Sequence, residues 1–293
     1  MFDIKEILEP ENLEDALELL DKNKELKIIA GGTDVLIKLH HHRMKDAELL
    51  SLRRIKGIDE IRMLEDGSIE IGAMASFSKI FRDDIVQKHI KVLAEGAVSM
   101  GGPQVRNMAT IGGNVCNGAV SADSAPALFS LNAKLKLKSK NSERIIPIQE
   151  FYKGPGKVDI KVDEILTHLI IKKEDYENLI GHYIKFSNRK AMDIAMVSVA
   201  VVSSIENDKF KDLRIALGVS APTPIRCSEA ETYAKGLEIT EENIEKIAKL
   251  AVNSSKSRNS WRASKDFREH LIEELTKRGI KKTIEIEGEK ENE

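Results

Sequence analysis

Cysteine occurs only twice in this chain, as Cys116 and Cys227, far apart and in no ligand-like spacing. That excludes a disulfide scaffold, and it excludes an iron–sulfur cluster or structural zinc held by this chain alone. Two free thiols suit a reducing cytoplasm. Aromatic residues make up 4% of the chain, too few for a base-stacking surface. Charge of either sign is not in excess: Lys+Arg total 46 against Asp+Glu 48, a formal net of -2, so no nucleic acid is expected as a partner. The longest apolar run, Ile194 to Val202, is too short to cross a bilayer, and the opening Met1-Phe2-Asp3-Ile4-Lys5-Glu6 has no signal-peptide pattern. A soluble, cytoplasmic protein without a membrane partner is expected.

What is present is ordinary globular composition, 293 residues with 41% hydrophobic and 32% charged, enough for two or three modest domains. Asn12 reads as the cap of a helix whose apolar face is Leu13, Ala16, Leu17 and Leu20. Lys27 to Ala30 reads as a strand running into a Gly31-Gly32 turn. Further strands are expected at Glu48–Leu52, Ile58–Leu64, Ser68–Gly72, Lys134–Lys138, Arg144–Ile148 and Glu164–Ile171. Ser76–Ile80 and Ile90–Met100 have helical patterns, and Gly154-Pro155-Gly156-Lys157 reads as a rigid loop. Beyond a charged segment, Lys172–Asn178, three strand-like runs (His182–Phe186, Ala195–Ile205, Leu213–Val219) precede two helices. One of these starts at Thr240 and the other carries Phe267, Leu271 and Leu275; Trp261, with Arg258 and Arg262 nearby, reads as a plain helix-start anchor in preference to a contact for a partner or the cofactor. The tail from Lys281 is mostly charged and expected to fray. Strands and helices do not alternate regularly in the N-terminal part, so an α+β fold is favoured over a doubly wound sheet.

Two stretches carry the chemistry. Thr110-Ile-Gly-Gly-Asn-Val-Cys-Asn-Gly-Ala-Val-Ser-Ala-Asp123 packs small residues between two apolar runs, and Ala30-Gly-Gly-Thr-Asp34 follows a strand. Such turns let backbone N–H groups approach a charged ligand and form an anion nest, with Thr33 and Thr110 as hydroxyl donors. Neither standard phosphate loop is present: there is no G-x-x-x-x-G-K-[ST], and Gly31-Gly32 lacks the third glycine of a dinucleotide turn. One Gly-Gly turn is usually only a turn. Two of them, each beside a hydroxyl and followed by an acid, point to one phosphate-bearing cofactor held between facing turns. Cys116 has no histidine near it in sequence and reads as a small buried hydrophobe rather than a nucleophile. His40-His41-His42 has no second ligand cluster, so no metal site is expected there.

Ile28-Ile-Ala-Gly-Gly-Thr-Asp-Val-Leu36 and Thr110-Ile-Gly-Gly-Asn-Val-Cys-Asn117 resemble the two FAD pyrophosphate loops of the molybdenum hydroxylase flavoproteins. The resemblance covers nearly the whole chain. Gly102-Pro-Gln-Val-Arg-Asn107, Gly154-Pro-Gly-Lys157, Ala221-Pro-Thr-Pro-Ile-Arg226 and Ser260-Trp-Arg-Ala-Ser264 look like the xanthine dehydrogenase branch of that family. It implies a two-subdomain FAD-binding fold of the vanillyl-alcohol-oxidase (PCMH) type over residues 1–176, divided near residue 57. A small C-terminal domain of three strands and helices would follow at 177–287, then a tail at 288–293.

The resemblance also implies the site. Lys27, Ile28, Ile29, Ala30, Gly31, Gly32, Thr33 and Asp34 would wrap the FAD pyrophosphate, and Thr110, Ile111, Gly112, Gly113 and Asn114 would clamp it from the other side. Asp123 would hold a ribityl or ribose hydroxyl, Leu166 would touch the adenine end, and Lys185 would lie near the phosphates or the reduced flavin. Read on their own, Lys185 is equally a solvated strand lysine and Asp123 a helix cap. No catalytic side chain and no metal ligand is expected on this chain. The implied role is electron transfer in a xanthine dehydrogenase-like complex, from an iron–sulfur subunit to NAD+. The molybdenum cofactor and 2Fe–2S clusters would then reside on partner subunits. The alternatives are the flavin subunit of a nicotinate, carbon monoxide or other aromatic or aldehyde hydroxylase, and a stand-alone FAD oxidoreductase.

Overall fold

The computed structural model describes residues 2–291. Its first unit is strand β1 (Ile4–Leu8), helix α1 (Leu13–Lys22), strand β2 (Lys27–Ile29), helix α2 (Val35–His40) and strand β3 (Ala47–Ser51). The sheet order is β1-β3-β2 and both pairings are parallel. Over these fifty residues strands and helices do alternate regularly, contrary to expectation. Ile4–Leu8 escapes notice because it is an edge strand carrying Lys5 and Glu6, which mask its apolar alternation. Helix α1 begins where Asn12 Oδ1 accepts the Asp15 N–H at 2.8 Å, and it buries Ala16, Leu17 and Leu20 against the sheet.

The second unit is an antiparallel sheet with a block of helices inserted in it. Strands β4 (Ile61–Met63) and β5 (Ile69–Gly72) lead into α3 (Phe77–Arg82), α4 (Asp84–His89), α5 (Lys91–Ser99), α6 (Pro103–Met108), α7 (Ile111–Asn117) and α8 (Ser124–Ser130). Then come β6 (Lys134–Lys138), β7 (Glu143–Pro147), α9 (Ile148–Phe151), β8 (Tyr152–Gly154), β9 (Lys157–Val158) and β10 (Ile165–Ile171). The five long strands lie in the order β4-β5-β10-β6-β7. On β6, Leu135 and Leu137 are buried while Lys134, Lys136 and Lys138 face outward, the one-sided pattern an antiparallel strand requires. Residues 154–157, expected as a rigid loop, form the tip of the β8–β9 ribbon. The stretch after Thr110, expected as a loop, is mostly helix α7, ended by Gly118 in the left-handed region at φ 62°.

The third unit is an antiparallel sheet of β11 (Ile180–Phe186), β12 (Val197–Glu206), β13 (Lys209–Gly218) and β14 (Ile225–Arg226), in that order. Three strands were expected. The fourth is a two-residue segment behind Pro224, too short for alternation to reveal. Helices α10 (Ser228–Ala234), α11 (Glu241–Ser254) and α12 (Lys265–Glu291) complete the unit. Val199 and Val201 pack toward α11 and α12, while Ala200 and Val202 join the core of the second unit. Burial on both faces explains why β12 reads as a continuous apolar run.

Over its described residues, to Glu291, the charged tail is helical where fraying was expected; Asn292 and Glu293 lie outside the described residues. Helix α12 continues to Glu291, with Ile280 and Thr283 fully buried and Lys282 paired to Glu285 at 2.9 Å. No described helix is long and apolar enough to cross a membrane.

The second and third units pack closely at Gly181, where an added Cβ would lie 2.7 Å from Val92 Cβ on α5. Gly181→Val is expected to destabilise the chain by about 1–3 kcal/mol through overpacking. The check is a lowered urea midpoint with an unchanged slope.

Candidate functional site: a cleft between the two glycine turns

A cleft of about 640 Å³ opens between the first and second units. The first turn lines it with Lys27, Ile28, Ala30, Gly31, Gly32, Thr33 and Asp34, and the second with Thr110, Gly112, Gly113 and Asn114. Leu166 on β10 also lines it. Sixteen residues were expected at the site, and twelve of them line this cavity. Ile29 stays in the strand ladder, and Ile111 is fully buried in the core. Asp123 and Lys185 are on neither wall.

The two turns touch. A Cβ on Gly31 would come within 1.8 Å of the Met108 carbonyl oxygen, so only glycine lets the first turn approach the segment leading to Thr110. Gly32 has φ +75°, which also favours glycine.

Their chemistry differs more than the sequence suggests. Among the described residues, the N–H groups of Gly31, Gly32, Thr33 and Asp34 donate to no protein acceptor. Those of the second turn are consumed. Ile111 donates to Ala75 O at 3.0 Å, Gly112 to Ala73 O at 2.8 Å and Asn114 to Thr110 O at 3.0 Å. Gly113 donates to the Thr110 hydroxyl at 3.2 Å, the N-cap bond of α7. The nest of free donors therefore belongs to the first turn. The second contributes a wall without bulk and the remaining proton of the Thr110 hydroxyl.

The rest of the lining was not anticipated. Lys24, Lys38 and Lys161 stand with Lys27 on the wall, and Leu26, Leu52, Ile160, Val162 and Ile165 add apolar surface. Lys38 lies one helical turn beyond Asp34 and donates across the cleft to Asn117 Oδ1 at 3.4 Å; the i, i+4 spacing is the one signal that could have marked it. Ile160 and Val162 have no local motif. Of the acids, Glu164 is neutralised by Arg144, whose Nε and Nη2 each donate to it at 2.8 Å. Burial opposes the charge on Glu164, yet Arg144 and the Lys161 N–H hold its carboxyl below the usual range. The cleft is thus small-walled, apolar in part, cationic at its rim and lined with free N–H donors, a combination suited to a large ligand with an anionic middle.

Asp123 and Lys185 are brought together, away from the cavity. Lys185 Nζ donates to Asp123 Oδ2 at 2.9 Å and to Ser99 O at 3.1 Å, and the Tyr183 hydroxyl donates to Asp123 Oδ1 at 3.2 Å. Asp123 stands at the N-terminus of α8 but makes no capping bond. Lys185 is not a solvated strand lysine: its side chain is 9% exposed. Burial pushes the Asp123 carboxyl up, and Lys185 opposes that shift. The sulfur of Cys116 is enclosed although the residue lines the cleft, and burial pushes its thiol up to about 12.

This fold and cleft define a flavoprotein of the molybdopterin dehydrogenases. The family model described as "FAD binding domain in molybdopterin dehydrogenase" matches residues 2–172, and the "CO dehydrogenase flavoprotein C-terminal domain" matches residues 182–283. The chain belongs to this FAD-binding family. Among its relatives, the xanthine dehydrogenase FAD-binding subunit of Escherichia coli O157:H7 is 40% identical over 290 residues, 99% of each chain. The nicotinate dehydrogenase FAD-subunit of Eubacterium barkeri is 29% identical, covering 82% of each. Of solved structures, carbon monoxide dehydrogenase from Hydrogenophaga pseudoflava superposes with a TM-score of 0.91 at 25% identity, covering 97% of this chain and 98% of that one.

Two outcomes follow. A side chain at Gly113 would meet the Thr110 hydroxyl, 2.9 Å from its Cβ, and project toward Ala30. Gly113→Val is expected to lower flavin bound per chain at least tenfold while far-UV circular dichroism is retained; unchanged flavin absorbance would exclude the clamp. At about pH 8 a thiol with a pKa near 12 is almost wholly protonated, so Cys116 in the folded chain is expected to react with a disulfide reagent roughly a thousandfold more slowly than a free thiol. Full reactivity should return in guanidinium.

Proposed function

We propose that this chain is the FAD-carrying electron-transfer subunit of a xanthine dehydrogenase-like molybdenum hydroxylase, taking electrons from an iron–sulfur subunit and passing them to NAD+. The observation that carries the cofactor assignment is the row of unpaired N–H groups at Gly31, Gly32, Thr33 and Asp34 facing a large cleft. When bound, FAD supplies the redox chemistry, accepting single electrons and releasing a pair as hydride.

The chain's own part is to bind, orient and exclude water. The Gly31–Asp34 amides would hold the pyrophosphate, with Lys27 adding charge. Thr110, Gly112, Gly113 and Asn114 would close the second side, and the apolar wall at Leu166 would take the adenine. Asp123 and Lys185 would act from behind the wall, fixing the segment that follows α7 against β11. No acid or base of this chain is needed for hydride release, so no catalytic residue is assigned.

The assignment to partners rests on chemistry as well as kinship. Two separated cysteines cannot furnish the four thiolates of a 2Fe–2S cluster, so the cluster and the molybdenum centre would sit on other subunits. The xanthine branch is favoured over the nicotinate and carbon monoxide branches because identity is 40% to the former against 29% and 27% to the latter two. A cytoplasmic location agrees with the free thiols and with NAD+ as acceptor.

Co-expression with the iron–sulfur and molybdenum subunits, followed by size-exclusion and turnover, tests the whole reading. The expected result is one yellow-brown complex that reduces NAD+ with xanthine or hypoxanthine and not with nicotinate. A chain that stays monomeric beside both subunits would sink the subunit role. Preference for nicotinate would move the complex to the other branch.

A further inference from the structure

A second feature lies outside the cleft, in the segment joining α11 to α12. From Ser255 to Lys265 it carries four cations, Lys256, Arg258, Arg262 and Lys265, and no acid. Lys265 pairs with Glu269 at 3.7 Å. Among the described residues, no carboxylate lies within 4.0 Å of Lys256, Arg258 or Arg262. A third guanidinium, Arg268 on α12, is buried at 3% exposure. It donates only to neutral oxygens: Met196 O, Val219 O at 3.5 Å and Ser260 Oγ at 2.8 Å. Its Nε has no partner. Burial first, then the nearby Arg258 and Arg262, loosen its hold on its proton. In a chain with a net charge of -2, Lys256, Arg258, Arg262 and Arg268 make a local concentration of positive charge with no ion-pair partner among the described residues.

Trp261 stands in the middle of it. Expected as an anchor, it is 81% exposed, the most exposed of the large hydrophobic residues described. The Arg262 guanidinium lies over its ring at 4.0 Å from the centroid, a cation–π contact that pairs the indole with a charge. Arg268 ties this segment to the end of the loop before β12, where Met192 and Ile194 are exposed, and its neighbour Phe267 is exposed as well. Tryptophan and arginine are the residue types that dominate binding energy at protein interfaces, ringed by apolar contacts that exclude water. These groups line neither cavity described for the chain. They therefore fit a broad face rather than an enclosed small anion.

The segment is also tied, through the residues that follow β13, to the residues that follow α7. The Lys256 N–H donates to Ser220 O at 2.8 Å, and the adjacent Val219 N–H donates to Val120 O at 3.3 Å. Val120 is three residues beyond Asn117 of the cleft wall.

From these observations we infer that Lys256, Arg258, Trp261 and Arg262 form the docking surface for an acidic face of the electron-donating subunit. The unpaired cations supply charge complementarity and steer encounter, the exposed indole supplies the buried anchor, and the link to Val120 brings the donor beside the cleft. This inference rests on the subunit role proposed above and adds which surface performs it.

The test uses the full-length flavin chain and the separately purified iron–sulfur subunit, with dissociation constants measured across a sodium chloride series. Wild type should weaken steeply with salt. R258E/R262E should raise the Kd about a hundredfold or more and flatten the salt dependence, and W261A should raise it about tenfold. R258K/R262K should restore most of the affinity. Flavin content per chain should be unchanged in all three. Because Trp261 is exposed, W261A keeps the test valid if the double charge reversal folds poorly. Kd values within threefold of wild type for both W261A and R258E/R262E would overturn the inference while leaving the subunit role standing. It would equally be overturned by normal assembly with weakened NADH binding, or by loss only of self-association. Failure of the wild-type chain to bind would overturn the subunit role and this surface with it.

Discussion

The close approach of Gly31 to the Met108 carbonyl is the contact on which the cleft depends. Backbone meets backbone there, 1.8 Å from where a Cβ would sit, so the parallel first unit is seated on the helical block of the second. That seating turns the strand β2 outward into a turn whose amides have nowhere to donate except the cavity. It also sets Thr110 at the head of α7, where its hydroxyl satisfies Gly113. One glycine-permitted contact thereby produces two walls of different chemistry: one with donors to spare, one already satisfied. Unpaired N–H groups are rare in folded proteins unless water or a ligand meets them, which is why their grouping at Gly31–Asp34 bears on function.

The third unit is bound to this frame by polar as well as apolar contacts. Glu95 on α5 accepts the Tyr183 N–H at 2.7 Å and meets His182 Nδ1 at 3.0 Å. Beside it, the Lys185–Asp123 pair is buried with the Tyr183 hydroxyl and Ser99 O as further partners. Removing one member of such a pair leaves an uncompensated buried charge, so the pair makes the position of β11 behind the cleft wall specific. The same sheet carries, on its far side, the helices that present the cationic segment with Trp261. The second unit, which walls the cleft, and the helices flanking the cationic segment thus pack on opposite faces of one sheet.

Among the described residues lining the cleft, the Glu164 carboxylate is tied to Arg144 and the Cys116 thiol is kept protonated by burial. What the chain offers is a binding frame: unpaired N–H donors, lysines and apolar walls around one cleft. Such a frame suits the FAD-binding family to which the chain belongs.

Much of this was legible in the chain itself. The two small-residue turns could be located because a strand followed by Gly-Gly-Thr-Asp, and a helix break followed by Thr-Ile-Gly-Gly-Asn, are local backbone requirements written in local residues. The alternation of Lys134–Lys138 and the apolar faces of α1 and α11 were readable for the same reason: their periods are set by strand and helix geometry. The sequence also determined, by its cysteine count, that no iron–sulfur cluster could be held here alone. Other features depend on distant segments. Strand β1 was hidden because an edge strand tolerates charge. The helical tail was hidden because its burial depends on the sheet it covers. Whether an amide at Gly32 or Gly113 is free, whether Asp123 caps α8 or pairs with Lys185, and whether Trp261 is an anchor or an exposed platform are matters of partners far along the chain. Tertiary structure alone decided them, since hydrogen bonds and burial are satisfied by whichever groups the fold brings near, not by sequence neighbours.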